Sequence, residues 1–243
     1  MTTLLLVRHG LTELTGPVLA GWTPALGLDD RGRAQARAVG ARLAPVPLAA
    51  LVSSPLDRCL QTAGEIAAAS GAAARPAGIE VDERFGEVRY GDWTGRPLKE
   101  LAKEPLWRVV QAHPSAAVFP GADGEGLADA QNRAVAAVRS WNARVAAEHG
   151  ANAVYAVCTH GDIIKAIVAD ALGLHLDQFQ RIQADPASVT AIRYTELRPF
   201  VVRLNDNGGD VAGLVPPPDT GSDTGSDTGD AAAEGDAPVG GGA

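Results

Sequence analysis

A Leu-Leu-Leu-Val run at residues 4–7 ends in Arg8, His9 and Gly10, and this junction constrains the fold more than any other feature of the chain. A continuous apolar run suits a strand covered on both faces, as in a sheet with helices on either side. The chain then leaves the core at Arg8, the kind of edge where open α/β sheets bind ligands. An Arg-His pair alone serves equally well as a satisfied polar edge, so the junction needs a second signal. It comes at "AVYAVCTHG", where a second apolar run ends in His160 and Gly161. If the two strands are neighbours, two imidazoles stand on one sheet edge. A glycine after each histidine allows a tight turn or a close backbone approach.

Between these junctions the pattern alternates strand and helix. "DDRGRAQARAVGARL" carries Ala34, Ala38 and Leu43 near helical spacing, with Asp29 or Asp30 as the cap. "LAALVSS" reads as a second buried strand, and "PLDRCLQTAGEIAAAS" as a helix with Pro55 in its first turn and Arg58 one turn in. "ADAQNRAVAAVRSWNARVAAEHG" is the clearest helix, with Val135, Val138 and Val145 inward and Gly150 as its stop; "SVTAIRY" and "FVVRL" suggest two more strands. The expected architecture is α/β, a three-layer α/β/α sandwich around a mostly parallel mixed sheet, whose strand order spacing does not reveal. Residues 84–126 are less periodic and read as an excursion covering the ligand edge, with a short helix near 98–110.

Composition narrows the class. The 243 residues are 46% hydrophobic and 21% charged, enough for one sizeable core. No apolar run approaches a membrane span and the start lacks a secretory pattern, so a cytoplasmic location is expected. Of the net charge of −8, six acids lie beyond Leu214, leaving about −2 for the rest. The repeated Gly-Ser-Asp-Thr tail cannot repay the entropy of ordering itself, so the expected division is a catalytic unit at 1–215 and a disordered acidic tail at 216–243. No basic stripe points to nucleic acid. Cys59 and Cys158 read as small buried hydrophobes, and His113, His149 and His175 are isolated from any zinc-like spacing, so no metal is expected. The absence of a GxxxxGK[ST] loop argues against a nucleotide-dependent kinase or ATPase.

The four stretches "LVRHGLTE", "SSPLDRCLQTA", "GEVRYGDWTG" and "VCTHGD", in this order, resemble the histidine phosphatase superfamily, in the branch containing cofactor-dependent phosphoglycerate mutase and its phosphatase relatives. The resemblance runs from Thr3 to Tyr194, and more weakly through "LRPFVVRLNDNGGDVAGL", which looks like an actinobacterial subgroup carrying phosphomutase labels. It implies a phosphoglycerate mutase-like fold and a phosphohistidine mechanism without cofactor or metal. By resemblance His9 is the nucleophile, Arg8, Arg58, His160 and Thr12 hold phosphate oxygens, and Glu87 is the proton donor. The chemistry suits these types: a neutral imidazole is nucleophilic, guanidiniums offset oxyanion charge, and a protonated carboxyl assists an alkoxide leaving group. Glu83 competes for the acid role but stands too close to Phe85 to match. Trp22, Arg89, Tyr90, Trp93 and Glu125 are candidates for lining the substrate mouth, with core or rim packing as the alternative for Tyr90 and Trp93.

Three departures bear on function. Gly126 stands where many relatives carry serine, and Asp162 stands where the mutases have asparagine. No Arg-Arg pair occurs anywhere in the chain, although a mutase must retain a bisphosphorylated intermediate with extra cationic donors. The expectation is hydrolysis of a small phosphorylated metabolite. A phosphoglycerate mutase-like phosphomutase is the alternative, and a non-catalytic phospholigand-binding or scaffold protein the rival of another class. Neither nucleic acid nor membrane is an expected partner, and a homo-oligomer is compatible with the sequence.

Overall fold

The computed structural model describes residues 1–70 and 78–209. The acidic tail at 216–243 lies outside the described residues. Six strands, β1 (Thr2–Arg8), β2 (Leu48–Ser53), β3 (Ile79–Val81), β4 (Ala153–Thr159), β5 (Val189–Tyr194) and β6 (Pro199–Asp206), form one sheet in the order β3-β2-β4-β1-β5-β6. The first four are mutually parallel, and β5 and β6 are antiparallel additions at one side. The sheet is therefore mixed and mostly parallel, as the apolar runs imply. The three-residue β3 escapes the sequence pattern because Ile-Glu-Val is too short to show a period.

Side chains of β1 alternate between two cores. Leu5 and Val7 join Val39 and Leu43 of α1 (Asp30–Leu43) and Cys59, Ala63 and Ile66 of α2 (Asp57–Ala69). Leu4 and Leu6 point the other way, into a cluster with the long helix α5 (Leu127–His149) and α6 (Gly161–Leu172). Helices on both faces complete three layers. The caps act locally: Asp29 accepts from Gly32 N at 2.7 Å to start α1, while Gly150 and Gly173 end α5 and α6 with positive φ. Pro55 precedes α2 rather than opening it; Leu56 is the N-cap. The single helix expected near 98–110 is two, α3 (Leu98–Leu101) and α4 (Pro105–Ala112), because Pro105 starts a new first turn.

Within the 84–126 segment, Phe85, Val88, Tyr90, Trp93, Leu101, Trp107 and Phe119 are buried in the α5–α6 cluster. An isolated bridge from Tyr90 to Gly124 ties its two ends together, and another, Val118 to Gly126, closes the turn at its C-terminal end. The segment is thus anchored by aromatic burial as well as by its backbone.

The loop after β1 is fixed by backbone against backbone. A Cβ on Gly10 would come 2.5 Å from Gly32 O, and one on Gly32 would come 2.0 Å from Leu11 O. The glycine after His9 therefore serves a close backbone approach to α1. We expect Gly32→Ala to destabilise the protein by about 2 kcal/mol, a clash that outweighs the roughly 1 kcal/mol by which alanine is the better helix former. An unchanged or raised urea midpoint would contradict this.

Candidate active site

Three parallel strands deliver the site from their carboxyl ends. β4 lies between β1 and β2, with Arg8 opposite Thr159 and Ser53 opposite Cys158. His9 N donates to Thr159 O at 3.0 Å and Ser54 N to Cys158 O at 2.9 Å, so the last carbonyls of β4 hold the exits of both neighbours. The next residue of β4 is His160. The two imidazoles consequently stand edge to face with centroids 5.2 Å apart. The neighbour relation that the paired junctions required is met by the insertion of β4 between β1 and β2.

Arg58, in the first turn of α2, reaches both rings. Its Nε donates to His9 Nε2 at 3.2 Å, and its Nη2 donates to Gly21 O at 2.7 Å and approaches His160 Nδ1 at 3.3 Å. An arginine only donates, so both of these ring nitrogens must carry lone pairs. The proton of His9 is then on Nδ1, donated to Gly10 O at 2.8 Å; that of His160 is on Nε2, donated to Ser54 Oγ at 2.8 Å with Cys59 Sγ at 3.4 Å. These tautomers follow from the partners. Burial, then the positive charges of Arg58 and Arg8, hold His9 well below the ordinary imidazole range; burial, Arg58 and His9 do the same to His160. Both rings are neutral at pH 7.

Arg8 donates through Nη1 to Ala184 O at 2.7 Å. Both arginines are buried, with exposures of 2% for Arg8 and 1% for Arg58. Among the described residues four buried side-chain polar atoms lack a partner, and two of them are Arg8 Nε and Arg58 Nη1. Buried donors of this strength are costly to leave unpaired. Two of them beside a neutral imidazole form a preorganised pocket for the oxygens of an anion.

Glu87 is 3% exposed. Its Oε1 accepts from Val88 N at 2.9 Å, and its Oε2 lies 3.8 Å from His160 Nδ1. Burial and the negative charge of Asp162 push its carboxyl up to about 8, against the opposing pull of Arg58 and Arg8. It is therefore mainly protonated at neutral pH and able to give or take a proton there. Asp162 is itself buried, accepting from Tyr90 Oη at 2.8 Å and lying 3.3 Å from Lys165 Nζ. Burial also drives the Cys59 thiol up to about 12, so it stays neutral on the floor of the site.

The remaining candidates divide. Thr12 is buried with its hydroxyl 3.0 Å from that of Thr15. Trp22 and Arg89 lie at the surface: the guanidinium sits 4.0 Å over the indole, and both line a hollow of about 360 Å³ with Asp92, Thr94 and Asp123. Tyr90 and Trp93 do not line the mouth. Tyr90 packs edge-on against Phe119, and Trp93 against Phe119 and Trp107, because the segment needs these rings for its own core. Glu125 pairs with Arg133, and Gly126 is the N-cap of α5 without a side-chain bond. Glu83 opens a one-turn 3-10 helix away from the pocket residues' contacts. Sequence reasoning missed Ser54, the Gly21 carbonyl, the position of Cys59 beside His160, and Arg133. The serine lies inside the quoted "SSPLDRC"; nothing in the local pattern marks Arg133.

A model of the histidine phosphatase superfamily (branch 1) matches residues 4–207. Phosphoserine phosphatase 1 of Hydrogenobacter thermophilus is 30% identical over 218 residues, covering 84% of this chain and 92% of the relative. Glucosyl-3-phosphoglycerate phosphatase of Mycolicibacterium vanbaalenii is 30% identical over 184 residues, covering 72% and 76%. Among solved structures, Bacillus stearothermophilus YhfR superposes with a TM-score of 0.71 at 29% identity, covering 85% of this chain and 98% of that one.

Proposed function

Given that the chain belongs to the histidine phosphatase superfamily, branch 1, we propose that it hydrolyses small phosphomonoesters by passing the phosphoryl group through His9 to water. It is an enzyme of the phosphoric monoester hydrolase class, as its phosphatase relatives are. The observation that carries the assignment of roles is the pair of unpartnered guanidinium N–H groups, Arg8 Nε and Arg58 Nη1, beside the lone pair of a neutral His9.

In the first step His9 Nε2 attacks phosphorus while the bond to the ester oxygen breaks. Arg8 and Arg58 take the charge spread over the non-bridging oxygens, with His160 on the opposite wall. Glu87 gives its proton to the departing alkoxide. In the second step Glu87, now a carboxylate, takes a proton from water as the water oxygen attacks phosphorus and the P–N bond breaks. A carboxyl near pH 8 serves both directions at neutral pH. The hollow beside Trp22 and Arg89 carries acids at Asp92 and Asp123 and meets the Glu87 loop through Trp22 Nε1, which donates to Glu87 O; its mixed polarity suits a small polar leaving group. Among the described residues its lining has one cation, Arg89, where a retained bisphosphate calls for several.

Glu87→Gln tests the acid role. Hydrolysis of an alkyl phosphate such as phosphoserine is expected to fall about 10²-fold, whereas the burst of phosphorylation by p-nitrophenyl phosphate, whose leaving group needs no proton, falls far less. In the parent enzyme kcat/KM for the alkyl substrate is expected to decline as pH rises through about 8, where Glu87 loses its proton, and the glutamine variant is expected to lack that limb. Equal losses for both substrates, or an unaltered basic limb, would reject the assignment. Isomerisation of phosphoglycerate with a bisphosphoglycerate primer, running faster than hydrolysis, would move the chain to the mutase alternative.

A further inference from the structure

The loop that carries Glu87 receives three of its backbone hydrogen bonds from one side chain of α5. Arg133 lies in the second turn of α5 and is itself largely covered, with a side-chain exposure of 22%. A guanidinium has five N–H donors, and here all five have acceptors. Nε donates to Glu125 Oε2 at 3.0 Å; Nη1 donates to Arg84 O and to Gly86 O, each at 2.8 Å; Nη2 donates to Glu87 O at 2.9 Å and to Glu125 Oε1. Glu125 closes the frame, since its Oε1 also accepts from Arg89 N at 2.8 Å. Three carbonyls within four residues, and an amide two residues beyond Glu87, are thereby fixed by one ion pair.

Resting on the assignment of Glu87 as proton donor, we propose that Arg133, with Glu125 as its counter-ion, is the positioning residue of that donor. The peptide planes on either side of Glu87 set the direction of its side chain, and both are tied down: the preceding one through Gly86 O, the following one through Glu87 O. Trp22 Nε1 gives Glu87 O a second donor at 2.7 Å. The same indole leans on Gly86, where a Cβ would come 2.4 Å from its ring, so the clamp and the substrate-side platform share one wall. The carboxyl must sit within hydrogen-bond reach of a leaving oxygen that is itself fixed by Arg8, Arg58 and His9. A loop free to rotate about residues 86–88 would not hold it there. The charge of Arg133, paired with Glu125, still reaches His160 and helps to lower its pKa, but its hold on Glu87 is geometric, through the carbonyls on either side of that residue.

Lysine cannot reproduce this clamp: it has three donors and no planar fork. Methionine keeps the length and removes every donor. The test is a leaving-group comparison among Arg133→Met, Arg133→Lys and Glu87→Gln, using phosphoserine and p-nitrophenyl phosphate in single-turnover phosphorylation, with thermal midpoints measured alongside. The expected result is a fall of 10- to 100-fold for phosphoserine in Arg133→Met against less than threefold for the nitrophenyl ester, with Arg133→Lys intermediate. A purely structural role would lower both substrates together, in proportion to the folded fraction. If Glu87→Gln discriminates between the substrates and neither Arg133 variant does, the positioning role is overturned and the donor assignment stands. If Glu87→Gln shows no discrimination, the donor assignment itself fails and the positioning role falls with it. Should Arg133→Met not fold, the lysine variant decides by the same criterion.

Discussion

Replacing His9 by alanine is expected to lower turnover by about 10⁴-fold or more and to remove a covalent phosphoryl label from the protein. The choice of His9 over its neighbour follows from how their nitrogens are occupied. His9 spends its Nδ1 proton on its own loop, at Gly10 O, and its Nε2 lone pair faces Arg58, accepting from Nε of the guanidinium whose Nη1 is unpartnered. His160 has Nε2 engaged by Ser54 and Cys59, and Nδ1 between Arg58 and Glu87; it is fully buried, whereas His9 keeps 6% exposure. Rapid quenching with phosphorus-labelled substrate, followed by an alkaline digest that spares phosphoramidates, should place the label on the peptide containing His9. Label on His160, or undiminished turnover in His9→Ala, would overturn the mechanism. Retention of the label in a hydrolysis-defective Glu87→Gln enzyme would support water attack as the step that Glu87 assists second.

Arg58→Ala is expected to be nearly as damaging, with kcat/KM down about 10³-fold. The substitution removes the donor to His9 Nε2, a contact to His160, the tie to Gly21 O and one of the two orphaned guanidinium N–H groups. Removing a single oxyanion donor typically costs a factor of 10²–10³, and here that loss is joined by misplacement of the imidazoles. A second signature has a definite sign. Arg58 lowers both the His9 and the Glu87 pKa, so without it both rise: the acid limb of kcat/KM moves up towards the ordinary histidine range, and the basic limb moves up as well. Lysine at 58 restores part of the field but not the fork, and should recover the pH limbs better than the rate. A variant with a lowered rate and unmoved limbs would show that Arg58 acts only by placing groups, not through its field.

What was legible in the sequence was whatever neighbours within a few residues decide. The apolar runs before Arg8 and His160 announce buried strands; Asp29 and Gly150 announce helix ends; and the order of four motifs announces the family. Where short-range signals conflict or are too brief, the reading slips, as at the three-residue β3 and at Pro105, which divides one expected helix into two. Tyr90 and Trp93 illustrate another limit: an aromatic in an irregular stretch suits a mouth and a core equally, and only the positions of Phe119 and Trp107 put these two inside.

The tertiary structure alone decided which strands are neighbours, and with it the meeting of His9 and His160, because hydrogen bonding between residues some 150 positions apart leaves no local trace. It also decided the charge states. A histidine and a glutamate in a sequence carry their ordinary pKa values; the neutral imidazoles come from desolvation and the field of Arg58, and the protonated Glu87 from desolvation and the field of Asp162 against the pull of Arg58 and Arg8. Arg133 is the extreme case. Its residue type was visible from the start, but its five acceptors lie in segments 8 to 49 residues away, and only the packing of α5 against the Glu87 loop brings donors and acceptors within 3 Å of one another.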